Sequence, residues 1–115
     1  MRLLIVEDNA GMRAMIRRVM DNPKAEFFEC SDGLEAVQAF ERIQPDFVLM
    51  DIEMKPVDGI TATRQIKKTH PEARIIIVTN YGDARTREAA RMAGAHGFVT
   101  KDNLLEVRAL VQAAS

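Results

Sequence analysis

Phe47-Val48-Leu49-Met50-Asp51 sets four consecutive large apolar residues immediately ahead of one carboxylate. No polar residue interrupts the run, which is the pattern of a strand buried on both faces of a parallel sheet. The same layout recurs upstream, where Leu3-Leu4-Ile5-Val6 precedes Glu7-Asp8, and downstream, where Ile75-Ile76-Ile77-Val78 precedes Thr79. Two weaker strands, beginning near Glu26 and Gly97, complete a series of five β-α units in which each strand is followed by a helical pattern. Strand-helix-strand connections force parallel pairing, and helices must then cover both faces. The predicted fold class is α/β, a three-layer α/β/α sandwich around a five-stranded parallel sheet. The continuous runs belong at its centre. The second strand, where Glu26 and Glu29 flank Phe27-Phe28, and the short fifth strand, Gly97 to Thr100, belong at its edges.

The helical stretches carry their own pattern. Met12, Met15, Ile16, Val19 and Met20 recur at i, i+3, i+4, i+7 and i+8, a stripe expected to pack on the sheet as core. Ser31 and Asp32 are the expected caps of a second helix carrying Leu34, Val37, Phe40 and Ile43, and Asp58-Gly59 opens a third with Ile60 and Ile66. From Gly82 to Gly97 the sole large apolar residue is Met92. Burying one such side chain is worth roughly 1.5 to 3 kcal/mol, so a fourth helix with a single anchor is expected to be the least firmly held element.

The totals bound the rest. A chain of 115 residues, 47% hydrophobic, has material for one domain over residues 1–115 and no second. Sixteen Lys plus Arg against 17 Asp plus Glu leave a net charge of -1, without the positive excess that direct nucleic-acid or membrane-surface binding requires. Cys30 is the only cysteine, so no intrachain disulfide, zinc cluster or CxxC pair can form, and a reducing cytoplasm is the expected setting. The four-residue apolar runs fall far short of a membrane span or signal-peptide core.

In an open α/β sheet the ligand site lies beyond the carboxyl ends of the strands. Those ends carry Glu7-Asp8, Asp51, Thr79 and, at the edge, Thr100-Lys101. Three carboxylates brought to one rim repel one another, so positive charge must be supplied. Lys101 brings one unit and a hard divalent cation two more. Magnesium suits a few carboxylates completed by waters and a phosphate oxygen. A site neutralised in this way can accept a phosphoryl group, with Asp51 at its centre as nucleophile. Any one of these residues alone reads more simply as a cap or a solvated side chain. Their joint occurrence at four strand ends points to function.

With these residues in place, the sequence resembles the receiver domains of response regulators from Leu3 to the last helix. The resemblance implies a flavodoxin-like sheet of order 2-1-3-4-5. It also implies roles: Glu7 and Asp8 as the acidic pair that holds the metal, Asp51 as phosphoacceptor, Thr79 as the switch hydroxyl, Lys101 as the lysine pairing with a phosphoryl oxygen, and Phe98 as the switch aromatic. In Asp51 to Gly59, the stretch DIEMKPVDG, it implies the backbone carbonyl of Glu53 as a further metal ligand. Glu53 and Tyr81, by the same analogy, tune phosphoryl lifetime, and Asn80, where the family usually has Ala or Gly, narrows access. Its expected partners are a sensor histidine kinase or phosphotransfer protein, and a homodimer or output partner on the face of the fourth helix, fifth strand and fifth helix. It is expected to be a switch and not an enzyme with turnover.

Three departures stand out. Lys55 intervenes before Pro56 in the loop after the acceptor. Lys101-Asp102 replaces the family's Lys-Pro, where a cis bond without proline would cost about 3 to 4 kcal/mol, so a trans bond is expected. Lys-Asp at this place resembles regulators with a helix-turn-helix output domain, which leaves a free-standing domain or a fragment as the expectation for a sequence ending at Ser115. Two rival classes share parts of the pattern. A phosphohydrolase with an aspartyl nucleophile usually has a DxD arrangement that Glu53 only imitates. A phosphorylation-independent interaction module would usually have lost one of the acidic or lysine positions, and none is lost here.

Overall fold

Residues 1–114 are described by a computed structural model. Ser115, the last residue of the expected 1–115 domain, lies outside the described residues. Five strands, β1 (Arg2–Val6), β2 (Glu26–Cys30), β3 (Phe47–Met50), β4 (Ile75–Thr79) and β5 (Gly97–Thr100), alternate with α1 (Ala10–Met20), α2 (Gly33–Ile43), α3 (Gly59–Thr69), α4 (Ala84–Met92) and α5 (Leu105–Ala113). A single 3-10 turn, Lys101–Asn103, joins β5 to α5. All pairings are parallel and the order is β2-β1-β3-β4-β5, so the continuous runs are central and the two weak strands form the edges.

Alternation along the central strands splits the core in two. Leu4, Val6, Val48, Met50, Ile75 and Ile77 face Ala36, Phe40, Ala62 and Ile66 on one side of the sheet. Leu3, Ile5, Phe47, Leu49, Ile76 and Val78 face Ile16, Met20, Val107 and Val111 on the other. Asn9, Asp32, Asp58 and Asp83 cap the first four helices, each accepting from a backbone N–H three residues on. Ser31, expected to share the second cap, instead hydrogen-bonds the Glu35 carboxylate.

Three expected core residues are not in the core. Met15 is 45% exposed, Leu34 46% and Met92 71%. At 3.6 residues per turn, Met15 sits about 100° round α1 from Ile16, at the margin of the arc that meets the sheet. α2 buries Gly33, Ala36 and Ala39 beside Phe40 and Ile43, and these small residues turn Leu34 outward. In α4 the buried residue is Ala90, not Met92, so this helix is anchored more lightly than the sequence suggested. Among the described residues the cis peptide is Lys55–Pro56, and Lys101–Asp102 is trans, as expected without proline. Cys30 is buried at the end of β2, and burial pushes its thiol up to about 11.

Candidate functional site

The last rungs of the sheet deliver the acidic residues. Val6 registers with Met50, and the next backbone N–H, that of Asp51, donates to the Val6 carbonyl at 2.9 Å. On the other side of β1, the Glu7 N–H donates to the Cys30 carbonyl at 3.0 Å. Glu7 and Asp51 are therefore fixed by the ladder itself and are buried, 1% and 6% exposed, while Asp8 faces solvent.

One carboxylate oxygen from each of Glu7, Asp8 and Asp51 lies within 4.8 Å of the other two. Lys101 reaches in from the edge, its Nζ 2.6 Å from Glu7 Oε1 and 3.2 Å from Asp51 Oδ1. The second Glu7 oxygen accepts from the Asn9 N–H at 3.1 Å. Burial pushes the carboxyls of Glu7 and Asp51 above their ordinary range, although Lys101 pulls both down. Burial also disfavours the Lys101 charge, but its bond to Glu7 and the nearby Asp51 win, and its pKa is raised. One ammonium thus serves three clustered carboxylates, and the surplus negative charge calls for a further cation. The donors are all oxygen and one face of the cluster is open to water, which fits magnesium.

The loop after Asp51 folds back on it. Gly59 donates its N–H to the Ile52 carbonyl at 2.9 Å, and a Cβ on Gly59 would lie 1.8 Å from the Asp51 carbonyl oxygen, so only glycine fits. Glu53 and Asn80 line the same cleft of about 430 Å³ as the carboxylates and Lys101. Thr79 is not among the cleft-lining side chains. It is 1% exposed, and its hydroxyl accepts from the Tyr81 N–H at 3.3 Å. The neighbouring Glu53 carboxylate holds the Tyr81 hydroxyl above its ordinary pKa. Phe98, half-buried on β5, lies under the Arg87 guanidinium at 4.6 Å from ring centre, and Arg87 Nε is tied to the Gly82 carbonyl at 3.0 Å.

Glu7, Asp8, Asp51 and Lys101 are therefore brought together as the sequence implied, while Thr79 ends the neighbouring strand β4 and Phe98 lies on β5. Sequence reading missed Arg13, whose guanidinium donates to the Glu7 backbone carbonyl at 2.6 Å, because a side-chain bond to backbone leaves no residue-type signature. It also missed the Thr100–Asp102 bond of 2.5 Å, which spans Lys101 and uses the side chain that stands where the family has proline. His70 packs on Phe40 between Glu41 and Glu72, and exposed His96 meets the edge of Phe47, both remote from the acidic rim in the fold.

The family model for the response regulator receiver domain matches residues 3–114. This chain belongs to that family. The receiver from Bacillus subtilis chemotaxis protein CheY is 39% identical over 110 residues, covering 91% of this chain and 92% of that protein. Among solved structures, a LuxR-family two-component response regulator from Aurantimonas superposes with a TM-score of 0.91 at 32% identity, over 98% of this chain and 83% of the other. A chain of the CheX-CheY-BeF3-Mg complex from Borrelia burgdorferi gives 0.90 at 25% identity, over 98% and 87%. The chain is a CheY-like receiver domain, whose family works as a phosphoacceptor switch in two-component signalling. No helix among the described residues is long and apolar enough to cross a membrane.

Proposed function

We propose that this receiver takes a phosphoryl group on Asp51 from the phosphohistidine of a sensor histidine kinase or phosphotransfer protein. The observation that carries the reading is the burial of Asp51 beside Lys101 at 3.2 Å, within a three-carboxylate cluster. An Asp51 carboxylate oxygen attacks phosphorus, the bond from phosphorus to the donor imidazole nitrogen breaks, and that nitrogen keeps the electron pair. Lys101 neutralises charge on a transferring phosphoryl oxygen. Glu7, Asp8, Asp51 and the Glu53 carbonyl would hold magnesium. When bound, that ion offsets carboxylate charge and gives a phosphoryl oxygen a coordination position.

The new charge and its acceptor oxygens then draw Thr79 toward Asp51, and Phe98 turns inward. The lightly anchored α4 follows, which alters the α4-β5-α5 face for a homodimer or output partner. Glu53, Asn80 and Tyr81 set how long the phosphoryl group survives. We place the domain, residues 1–115, in the cytoplasm as a switch with self-catalysed transfer and loss of its phosphoryl group only. A phosphohydrolase lacks support from the family assignment.

The test is labelling by acetyl phosphate, followed by intact-protein mass. Wild type is expected to gain one phosphoryl mass with magnesium and not after chelation, and Asp51→Asn to gain none. Equal labelling of Asp51→Asn would remove the acceptor assignment.

A further inference from the structure

Arg13 sits in the first turns of α1, with its side chain only 20% exposed, and it bridges the turn after β1 to the edge strand β2. One guanidinium nitrogen donates to the Glu7 backbone carbonyl at 2.6 Å, and Nε donates to Glu29 Oε1 on the edge strand β2 at 2.8 Å. Glu29 is held in turn by Arg17, one helical turn on, at 2.7 Å through its other oxygen. The Glu7 carbonyl belongs to the peptide that leads into Asp8. Rotation of that peptide swings the Asp8 carboxylate, the exposed member of the acidic cluster. The Glu7 side chain needs no such help, since Lys101 and the Asn9 N–H already occupy both of its oxygens. A planar guanidinium with several donors in fixed directions can hold the carbonyl and the carboxylate at once, whereas an ammonium is a point charge.

We propose that Arg13 is a positioning residue for the metal-binding turn, holding the Glu7–Asp8 peptide so that Asp8 presents its carboxylate to a divalent cation, with Glu29 fixing the guanidinium from β2. This rests on the magnesium reading above. Groups that orient metal ligands without touching the metal commonly matter 10- to 100-fold in affinity, about tenfold at the lower end.

Electrostatics alone predicts the opposite sign. Arg13 is a cation beside an acidic site, so deleting its charge should, through Coulomb's law, tighten binding of another cation. A positioning role predicts weakening instead.

The experiment measures magnesium affinity of the full chain by titration calorimetry with the metal alone, free of any phosphodonor. Arg13→Ala is expected to weaken binding about tenfold. Arg13→Lys, which keeps the charge but not the two-directional fork, is expected to weaken it about threefold. Arg17→Ala, which removes an equal charge from the same carboxylate but leaves the Glu7 carbonyl bonded, is expected to leave affinity at or slightly above wild type. Thermal melts confirm which variants are folded, and if Arg13→Ala is not, Arg13→Lys decides. Unchanged or tighter binding in the Arg13 variants, or equal weakening in Arg17→Ala, overturns the proposal. Wild type that binds no magnesium overturns the metal reading itself, a different failure from wild type that binds while Arg13→Ala binds equally well.

Discussion

The two sides of Asp51 are built differently. Toward β1, the acidic residues are fixed by sheet rungs, by Asn9 and Arg13, and by the Gly59 turn, which leaves no room for one extra carbon. Toward β4 and β5, Thr79 makes one long bond to its own loop, Phe98 is half-buried under an arginine, and α4 has Ala90 as its buried residue. Rigid placement of charge on one side and weak anchoring on the other is what a switch needs. The site must hold its geometry while the reporting element moves. Shifting a two-state equilibrium from 1:99 to 99:1 takes about 5.5 kcal/mol of differential stabilisation, which a few charge-assisted hydrogen bonds supply only against a lightly held element.

The contrast can be broken from either side. The largest effect is expected from Gly59→Ala, since the added methyl would meet Asp51 backbone at 1.8 Å. Denaturant unfolding should show a loss of about 3 kcal/mol, the upper part of the range for overpacking. A loss under about 1 kcal/mol would mean that the acidic side yields as readily as the other.

Next is the link between the sides. Tyr81→Phe removes the hydroxyl beside Glu53 and is expected to speed loss of the phosphoryl group by about two- to tenfold, the equivalent of one ordinary hydrogen bond. Unchanged decay, followed by mass after removing acetyl phosphate, would leave the pair as solvated surface.

A smaller effect is expected at Arg87. Its contact with the Phe98 ring, about 0.5 to 1 kcal/mol for an exposed cation–π pair, favours the resting ring position. Fluorine NMR of a fluorophenylalanine placed at 98 should therefore show Arg87→Ala moving toward the phosphorylated spectrum without phosphorylation. A shift the other way would make Arg87 a support of the active form. The smallest change is expected for Met92→Ser, within about 0.5 kcal/mol on denaturation, because this side chain is 71% exposed. A loss near 2 kcal/mol would restore Met92 as an anchor and weaken the contrast.

Much of this was legible in the residues. Uninterrupted runs ending in acids announced central parallel strands and their acidic rim, because a strand buried on both faces cannot alternate. Glu26 and Glu29 betrayed an edge. Large apolar residues proved a poorer guide to helix faces. α2 packs through Gly33, Ala36 and Ala39, and α4 through Ala90, residues too small to stand out in a periodic pattern. At the site, carboxylates and lysine were readable because their chemistry lies in the side chain. Arg13 and Gly59 were not, since both act through another residue's backbone, where only coordinates reveal the partner.

Cys30 sits one strand from the acidic rim, and with its thiol held near 11 almost none is thiolate at neutral pH. Alkylating reagents are expected to react slowly with this buried thiol. A cysteine introduced on an exposed helix face would be the one reactive handle for a spectroscopic label, with the native residue left in place.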